Sequence, residues 1–195
     1  MGQRRITGII KKTNIMKKIV LLIILFGLQT TAQNKYLTKT GRVAFEASVP
    51  SFEEVKAANQ GVTAILNSDT GAFAALALVK GFRFKNALME EHFNENYAES
   101  ETYPKATFKG NLEGSNLAKI ENEHTLTISG ELTFHGKTKT LNNIKAIVTK
   151  NGSNIVLTGH FTVLAADFNI SIPKIVRNKV AETVKIDFEF NLAPK

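Results

Sequence analysis

The sequence predicts an all-β protein built from about eight or nine antiparallel strands. Between residues 105 and 192 the chain repeatedly alternates apolar or small residues with polar ones, as in Thr125–Phe134 and Val184–Leu192. Because successive side chains of a strand point to opposite faces, each such segment has one apolar and one polar face. Turn sequences such as Asn151-Gly152, which is typical of a tight hairpin, separate the segments. Strands of this kind pack as two sheets or close into a barrel, and the periodicity leaves both open.

The first elements are less regular. Val43–Ala47 alternates and is followed by Pro50, so we expect a first strand there. Ser51 precedes Glu54 by three residues, which fits a helix capping box, and Ser51–Asn59 is predicted to be a short helix. Further strands are predicted over three segments: Val62–Leu66, Ala72–Val79 and Gly81–Lys85.

A second helical segment interrupts the alternation before the regular strands begin. Within Asn86–Ser100 the apolar residues Leu88, Met89 and Phe93 stand at helical spacing, so we expect a short helix and then a loop. Residues 165–180 form a second irregular stretch, around Pro173. The remaining segments are predicted strands: Lys105–Leu112, Glu123–Phe134, Leu141–Thr149, Asn154–Leu164 and Glu182–Leu192.

The positive charge of the chain is concentrated at its beginning. The formal net charge is +8, and residues 1–32 hold six of the 25 basic residues and none of the 17 acidic ones. The rest of the chain is therefore close to neutral, with lysines spread along the polar strand faces. This distribution argues against a nucleic-acid-binding protein.

The basic beginning has the composition of a secretory signal. Lys17-Lys18 precedes the apolar run Ile19–Phe26, and small residues stand before Gln33. We expect residues 1–32 to be a cleaved signal peptide, with Met16 as an alternative start, and residues 33–195 to be one periplasmic or secreted domain. The apolar run is short for a membrane span, and the alternative is an uncleaved anchor. The absence of Cys excludes both a disulfide framework and lipid attachment to a cysteine.

No catalytic or metal-binding pattern is recognisable in the sequence. The four histidines show no metal-ligand spacing, and no serine lies in a Gly-x-Ser-x-Gly turn. Carboxylate pairs such as Glu90 and Glu91 are adjacent, so on a helix they point apart. We therefore expect no enzyme, no metal and no cofactor. An enzyme acting on a lipid-like substrate is the alternative, suggested only by His92 and Asp167.

The phenylalanines are the strongest remaining signal. The chain has 13 Phe and no Trp, and most of these Phe fall on apolar strand faces among small residues such as Ala75, Ala106 and Gly159. Large and small residues alternate in the same way in a filled barrel and around an apolar cavity. The residues alone leave these two interpretations open.

The segments that interrupt the alternation resemble the YceI-like family. Ser100–Gly110, with its Tyr103-Pro104, is similar to one family motif, and Gly130–Thr138 is similar to the family's Gly-x-Leu-Thr strand and Gly-x-Thr turn. Asp167–Ile170 is similar to a late Asp-Phe-Gly-Ile segment, with Asn169 in place of Gly. The resemblance covers most of Val43–Leu192.

The resemblance implies a lipocalin-like, up-and-down antiparallel β-barrel of about eight strands with one or two short helices. It also implies an apolar cavity that binds a polyisoprenoid or isoprenoid quinone, so that the protein carries or sequesters this long-chain lipid. An exported interaction or stress-response module with a filled core is the alternative, and a homodimer is left open.

On this basis the expected ligand site has an apolar lining and a polar mouth. The expected lining residues are Phe45, Phe82, Phe84, Phe108, Leu126, Ile128, Leu132, Phe161, Phe188 and Phe190. Head-group contacts at the mouth are expected from Arg83, Lys85, His92 and Asp167. Apolar burial has no direction, so we expect affinity for long apolar chains with loose selection of the head group.

Overall fold

The computed structural model describes residues 34–50, 52–113, 117 and 122–195. The predicted signal peptide, residues 1–32, lies outside the described residues, and its cleavage stays a prediction. From residue 34 onward, nine strands form one antiparallel sheet, in which the first strand pairs with both the second and the last. The sheet therefore closes on itself, and the chain from this point contains the whole barrel with its own core.

Eight of the nine strands are long, and β4 has two residues. In chain order the strands are β1 (Lys35–Ser48), β2 (Lys56–Asn67), β3 (Ala72–Leu78), β4 (Arg83–Phe84), β5 (Lys105–Glu113), β6 (His124–Phe134), β7 (Lys137–Asn151), β8 (Asn154–Leu164) and β9 (Val180–Pro194). Helix α1 (Ala87–His92) continues into a π-helical turn, Phe93–Tyr97. Short 3₁₀ turns cover Val79–Gly81, Ala165–Phe168 and Lys174–Val176.

The eight long strands form an up-and-down barrel. Each long strand pairs with its neighbour in the sequence, and β1 closes the barrel against β9, with Phe45 opposite Ile186. The short β4 pairs with the first residues of β2, beyond the end of β3. The predicted all-β barrel of about eight strands is confirmed, and the alternative of two packed sheets is wrong.

The predicted helix over Ser51–Asn59 is wrong. Residues 52–55 are not helical, and β2 begins at Lys56, where Ala57 and Ala58 pair with β1 on one side and with β4 on the other. A capping-box pattern is a local signal. Pairing with a strand on each side satisfies the same backbone groups over a longer segment, and it overrides the helical preference.

The first strand begins well before the predicted Val43. It starts at Lys35, and its pairing with β2 shifts register between Thr38 and Gly41 and again between Gly41 and Val43. Each shift changes which residues face inward, so the apolar alternation is broken before Val43. Because of this irregularity, alternation of period two does not reveal the beginning of β1.

The connections alternate between the two ends of the barrel because consecutive strands run in opposite directions. At what we call the upper end lie residues 49–55, 79–104, 135–136 and 165–179. At the lower end lie the turn at residues 68–71, the β5–β6 connection, the turn at residues 152–153, and residues 34 and 195. Helix α1 and the 3₁₀ turns named above all lie in connections at the upper end.

The lower half of the barrel is filled with aliphatic side chains. Leu66, Leu157 and Leu192 are completely buried, and they belong to one core cluster with Ile155. Leu117, from the β5–β6 connection, is buried in the same cluster. These side chains pack at the lower end of the barrel, and the chain stabilises this half without disulfides.

The turn before β3 provides a stability test. Gly71 has a φ of 74°, and a Cβ there would lie 2.4 Å from the carbonyl oxygen of Leu112. Gly152 has a φ of 61°, and a Cβ there would meet no atom within 4 Å. Gly152→Ala should lower the free energy of unfolding by about 1 kcal/mol, because of the left-handed backbone alone. Gly71→Ala should lower it by ~1–3 kcal/mol more than Gly152→Ala does, because of the added steric contact. Urea unfolding of both variants measures the difference, and equal losses would contradict a steric contact at Gly71.

Candidate functional site

The upper half of the barrel encloses a cavity of about 420 Å³. Its walls are inward-facing residues of all the long strands, together with residues of the upper connections. Among the described lining residues the polar side chains are those of Glu53, His92, Tyr97, Thr107 and Lys179. The cavity is therefore an apolar compartment whose volume falls in the range of small-molecule binding sites.

A layer of phenylalanine rings separates the cavity from the filled lower half. Phe73 lies 5.5 Å from Phe190 and 6.1 Å from Phe108, and Phe190 stacks on Phe188 at 5.8 Å, measured between ring centroids. We call these four residues the aromatic floor. Phe188 lies directly over Gly159 on β8, where a Cβ would come within 2.5 Å of the ring. The glycine thus allows the ring to lie against the backbone of the neighbouring strand.

A second aromatic cluster holds the helical connection against the barrel rim. The Phe93 ring, just after α1, lies 5.2 Å from Phe45 and 5.3 Å from Phe84. Phe82 lies 5.4 Å from Phe45 and 6.1 Å from Phe93. All four residues line the cavity. The helical connection is therefore part of the cavity wall and packs on β1 and β4.

Helix α1 is positioned by its own first residues. The Asn86 side chain accepts hydrogen bonds from the backbone N–H groups of Leu88 and Met89, at 2.9 and 3.4 Å. This is the N-cap arrangement that begins a helix. The side chain of Asn86 also donates to Glu53 at 3.2 Å. The cap thus ties the start of α1 to the neighbouring β1–β2 connection at the rim of the barrel.

His135 joins three upper connections. Its Nδ1 lies 2.8 Å from the carbonyl oxygen of Phe168, and its Nε2 lies 2.7 Å from Glu99 Oε2. The ring packs edge-on against Tyr103 with centroids 4.6 Å apart, and its side chain is only 12% exposed. Each ring nitrogen therefore lies within hydrogen-bond distance of an oxygen atom from a different connection. The spacing of the histidines in the sequence gives no sign of this bridging role.

Asp167 anchors the β8–β9 connection to β7. Its carboxylate forms an ion pair with Lys139 and accepts a hydrogen bond from the backbone N–H of Leu164 at 3.0 Å. The hydrogen bond from Lys139 and then that from Leu164 hold the pKa of Asp167 below its usual value. Asp167 does not belong to the cavity lining. Its expected contact with a ligand head group is therefore not supported by its position.

Of the other three expected mouth residues, Arg83 and Lys85 also lie outside the cavity lining. Arg83 pairs with Glu90 at 2.6 Å and donates to the Lys80 carbonyl at 3.0 Å, outside the lining. Lys85 pairs with Glu54 at 2.7 Å, and this hydrogen bond lowers the pKa of Glu54. Of the four residues, His92 lines the cavity, at an exposed position on α1. The ion pairs brace the rim and do not face inward.

The structure brings together nine of the ten residues expected to form the apolar lining. Leu126 is the exception, because it lies near the lower start of β6 and packs against the core cluster. The alternation assigns all ten to the inner face but does not indicate their height along the barrel axis. The residues found on the cavity wall are Phe45, Phe82, Phe84, Phe108, Ile128, Leu132, Phe161, Phe188 and Phe190. Their contact with a ligand stays a prediction.

Several lining residues of the upper connections were not among those expected from the sequence. Phe93, Phe168, Ile172 and Val176 all face the cavity from segments without strand periodicity. For Phe168, Ile172 and Val176, the signal that could have found them is the apolar content of residues 165–180. A surface loop does not need that many large apolar side chains, so their presence indicates that the loop covers something.

Neither a membrane-spanning helix nor a metal-binding cluster occurs in the part of the chain that the structure describes. Within those residues, no helix is both long and apolar enough to cross a membrane. In the same ranges no three His, Asp or Glu side chains come together where they could hold a metal ion. The expectations of no metal and no catalysis stay predictions.

Comparison with protein families gives one clear match. The model of the YceI-like domain matches residues 33–192, which is most of the chain and includes every described strand except the last residues of β9. No curated protein is a significant match to the chain.

Solved structures share the fold. A polyisoprenoid-binding domain from Saccharophagus degradans, implicated in plant cell wall breakdown, is 15% identical, with a TM-score of 0.72 over 84% of this chain and 99% of that one. BcnA of Burkholderia cenocepacia is 20% identical, with a TM-score of 0.66 over 78% and 96%. The Campylobacter jejuni YceI protein is 15% identical, with a TM-score of 0.56 over 73% and 88%. At these identities the likeness concerns the fold.

The division into a filled and a hollow half can be tested with two leucines. Leu157 is completely buried in the lower core, whereas Leu132 lines the cavity. Leu157→Ala should lower the free energy of unfolding by about 2–5 kcal/mol, because it opens a new void. Leu132→Ala should cost about 1–2 kcal/mol, because its side chain already borders empty space and only the transfer contribution is lost. Urea unfolding measures both, and a larger loss for Leu132→Ala would contradict the division.

The Asp167 anchor predicts a pH-dependent contribution to stability. Its pKa is lowered in the folded state, so the folded protein binds fewer protons than the unfolded chain as the pH falls. The contribution is present above the ordinary Asp range, at about pH 4 and higher, and is lost as the pH falls through the lowered value. Asp167→Asn should therefore be less stable than the parent at pH 7, with the difference vanishing in acid.

Urea unfolding between pH 7 and pH 3 measures this difference. Glu131→Gln is the control, since Glu131 is exposed on β6 and has no ion-pair partner among the described residues. A difference between Asp167→Asn and the parent that stays constant down to pH 3 would rule out the anchoring role.

Proposed function

The chain belongs to the YceI-like family, and from that premise we propose that it binds a long-chain polyisoprenoid lipid or isoprenoid quinone in the upper cavity. The observation that carries the proposal is the apolar cavity of about 420 Å³ above the aromatic floor. An empty apolar compartment lowers the free energy of unfolding, so its presence indicates a function such as ligand binding.

Apolar burial supplies the affinity in this proposal. Each methylene group that leaves water contributes about 0.8 kcal/mol. Such burial distinguishes poorly between chains of similar width. We expect the branched units of an isoprenoid to fit the uneven wall formed by phenylalanine and alanine side chains. The aromatic floor limits the depth, and a ligand longer than the cavity extends outward through the mouth, where Glu53, His92 and Lys179 lie.

The relatives support this ligand class without specifying the head group. The Saccharophagus degradans domain, which has the same fold, is described as polyisoprenoid-binding. We infer a carrier or sequestering role for this chain, exported by the signal sequence in residues 1–32 to the periplasm or the exterior. The proposed role is non-catalytic, because the described polar lining residues include no nucleophile paired with a base.

A filled-core interaction module is the rival, and the cavity counts against it. Such a module needs no compartment lined by side chains from so many elements. The apolar lining continues through the upper connections, so these connections act as part of the compartment in our proposal and not as separate binding loops.

A variant that fills the cavity tests the proposal. Ala75 faces the cavity from β3, and Ala75→Phe should occupy its space while leaving the outer surface unchanged. Native mass spectrometry of residues 33–195, purified from a bacterial host, should show a bound lipid in the parent. Ala75→Phe should reduce the affinity about tenfold, the equivalent of about two buried methylene groups.

Ala74→Phe is the matched control, because Ala74 precedes Ala75 on the same strand and does not line the cavity. It should retain the parent's bound lipid. Absence of lipid from the parent, even after incubation with ubiquinone or undecaprenol in detergent, would refute the proposed function.

A further inference from the structure

We propose that the protein docks on the surface of an anionic lipid bilayer through residues 171–179, which we call the basic loop. This inference rests on the proposed function, because a lipid carrier must exchange its ligand with a membrane. The loop lies at the upper end, beside the mouth of the cavity. Docking there places the cavity entrance against the bilayer, so that a lipid chain can pass without crossing water.

Exposed apolar side chains are concentrated at this end. Six large apolar side chains are strongly exposed among the described residues, and five of them belong to the upper end. These five are Phe52, Leu78, Leu88, Leu164 and Ile175. The sixth, Ile147, lies in the lower half of β7. Single exposed apolar residues are ordinary on a protein surface, but their grouping around one opening indicates contact with an apolar partner.

The basic loop has one face toward the cavity and one toward solvent. Ile172 and Val176 line the cavity, whereas Ile175, between them in the 3₁₀ turn Lys174–Val176, is 86% exposed. A buried face fixes the loop on the barrel, so the exposed side chain is held outward. Ile175 can therefore insert between lipid head groups while the loop keeps its place in the cavity wall.

Cations surround the exposed isoleucine. Residues 171–179 include Lys174, Arg177 and Lys179 and no acidic residue. Arg177 pairs with Glu182 at 3.6 Å and donates to the Ile172 carbonyl at 3.2 Å, which braces the loop. Lys174 and Lys179 have no ion-pair partner among the described residues. Unpaired ammonium groups beside an exposed apolar side chain complement the phosphates of an anionic bilayer.

The helical connection at the same end carries the reverse charge, which fixes the orientation. Glu91 on α1 and Glu95 in the following π-helical turn are exposed, and neither has an ion-pair partner among the residues described. An anionic surface repels these carboxylates and attracts the basic loop. The barrel therefore tilts so that residues 171–179 lie deeper in the head-group region than the carboxylates of the helical connection.

Vesicle partitioning tests the docking surface. Residues 33–195, which contain the complete barrel, are mixed with vesicles of phosphatidylglycerol and phosphatidylcholine or of phosphatidylcholine alone, and bound protein is separated by flotation. The parent should bind the anionic vesicles, and binding should weaken as salt is raised. Lys174→Ser should lower the partition coefficient on anionic vesicles about fivefold and leave that on neutral vesicles unchanged. Ile175→Ser should lower it about tenfold.

Two controls match these variants in chemistry but lie on the barrel wall. Ile147→Ser removes the exposed isoleucine of the lower half, and Lys109→Ser removes an exposed lysine from the middle of β5. Both should bind vesicles like the parent. Equal losses for Ile147→Ser and Ile175→Ser, or no binding of the parent to anionic vesicles, would overturn the docking proposal.

Ligand binding in detergent separates this inference from the proposed function. Neither Lys174 nor Ile175 lines the cavity, so both variants should retain bound lipid in native mass spectrometry. Lipid binding without vesicle binding would refute the docking surface alone. Failure of the parent protein to bind lipid would refute the proposed function. Vesicle binding that depends on Ile175 would in that case still support the docking surface.

Discussion

Closure of the sheet through β1 is the constraint on which the rest of the structure depends. This strand pairs with β2 along one edge and with β9 along the other, so it satisfies backbone groups that would otherwise form two open sheet edges. Closure also creates an inside, and the alternating residues of every strand acquire a common interior. The register shifts around Gly41 bend β1 where it must follow both partners.

The interior is divided by the aromatic floor, and this division reconciles stability with a cavity. Below the floor, aliphatic side chains pack without access to water. Above it, the walls face an empty apolar space that contributes less to stability. The rings of Phe188 and Phe190 can form a layer because β1 and β8 carry glycines where the rings lie against them. Small residues are thus as necessary to the floor as the phenylalanines.

The upper connections complete the compartment, and contacts between distant segments hold them there. His135 joins the helical connection to the β8–β9 connection, and Asp167 fastens the latter to β7. Lys85 and Glu54 bridge the β1–β2 connection and the residues before α1. The mouth is therefore braced by polar contacts outside and by aromatic contacts inside. Such an arrangement keeps the entrance in place while leaving the basic loop exposed.

The sequence by itself determined the all-β class, the faces of the regular strands and the helix near residue 87, because the spacing of apolar residues along the chain is a local signal. Only the tertiary structure decided that Lys56–Asn59 is a strand, that Leu126 lies below the cavity, and that Arg83 and Asp167 are engaged in ion pairs. A period of two assigns a side chain to a face but not to a height, which depends on register and strand tilt. Ion-pair partners such as Lys139 and Asp167 are far apart in the sequence and meet only when the barrel closes.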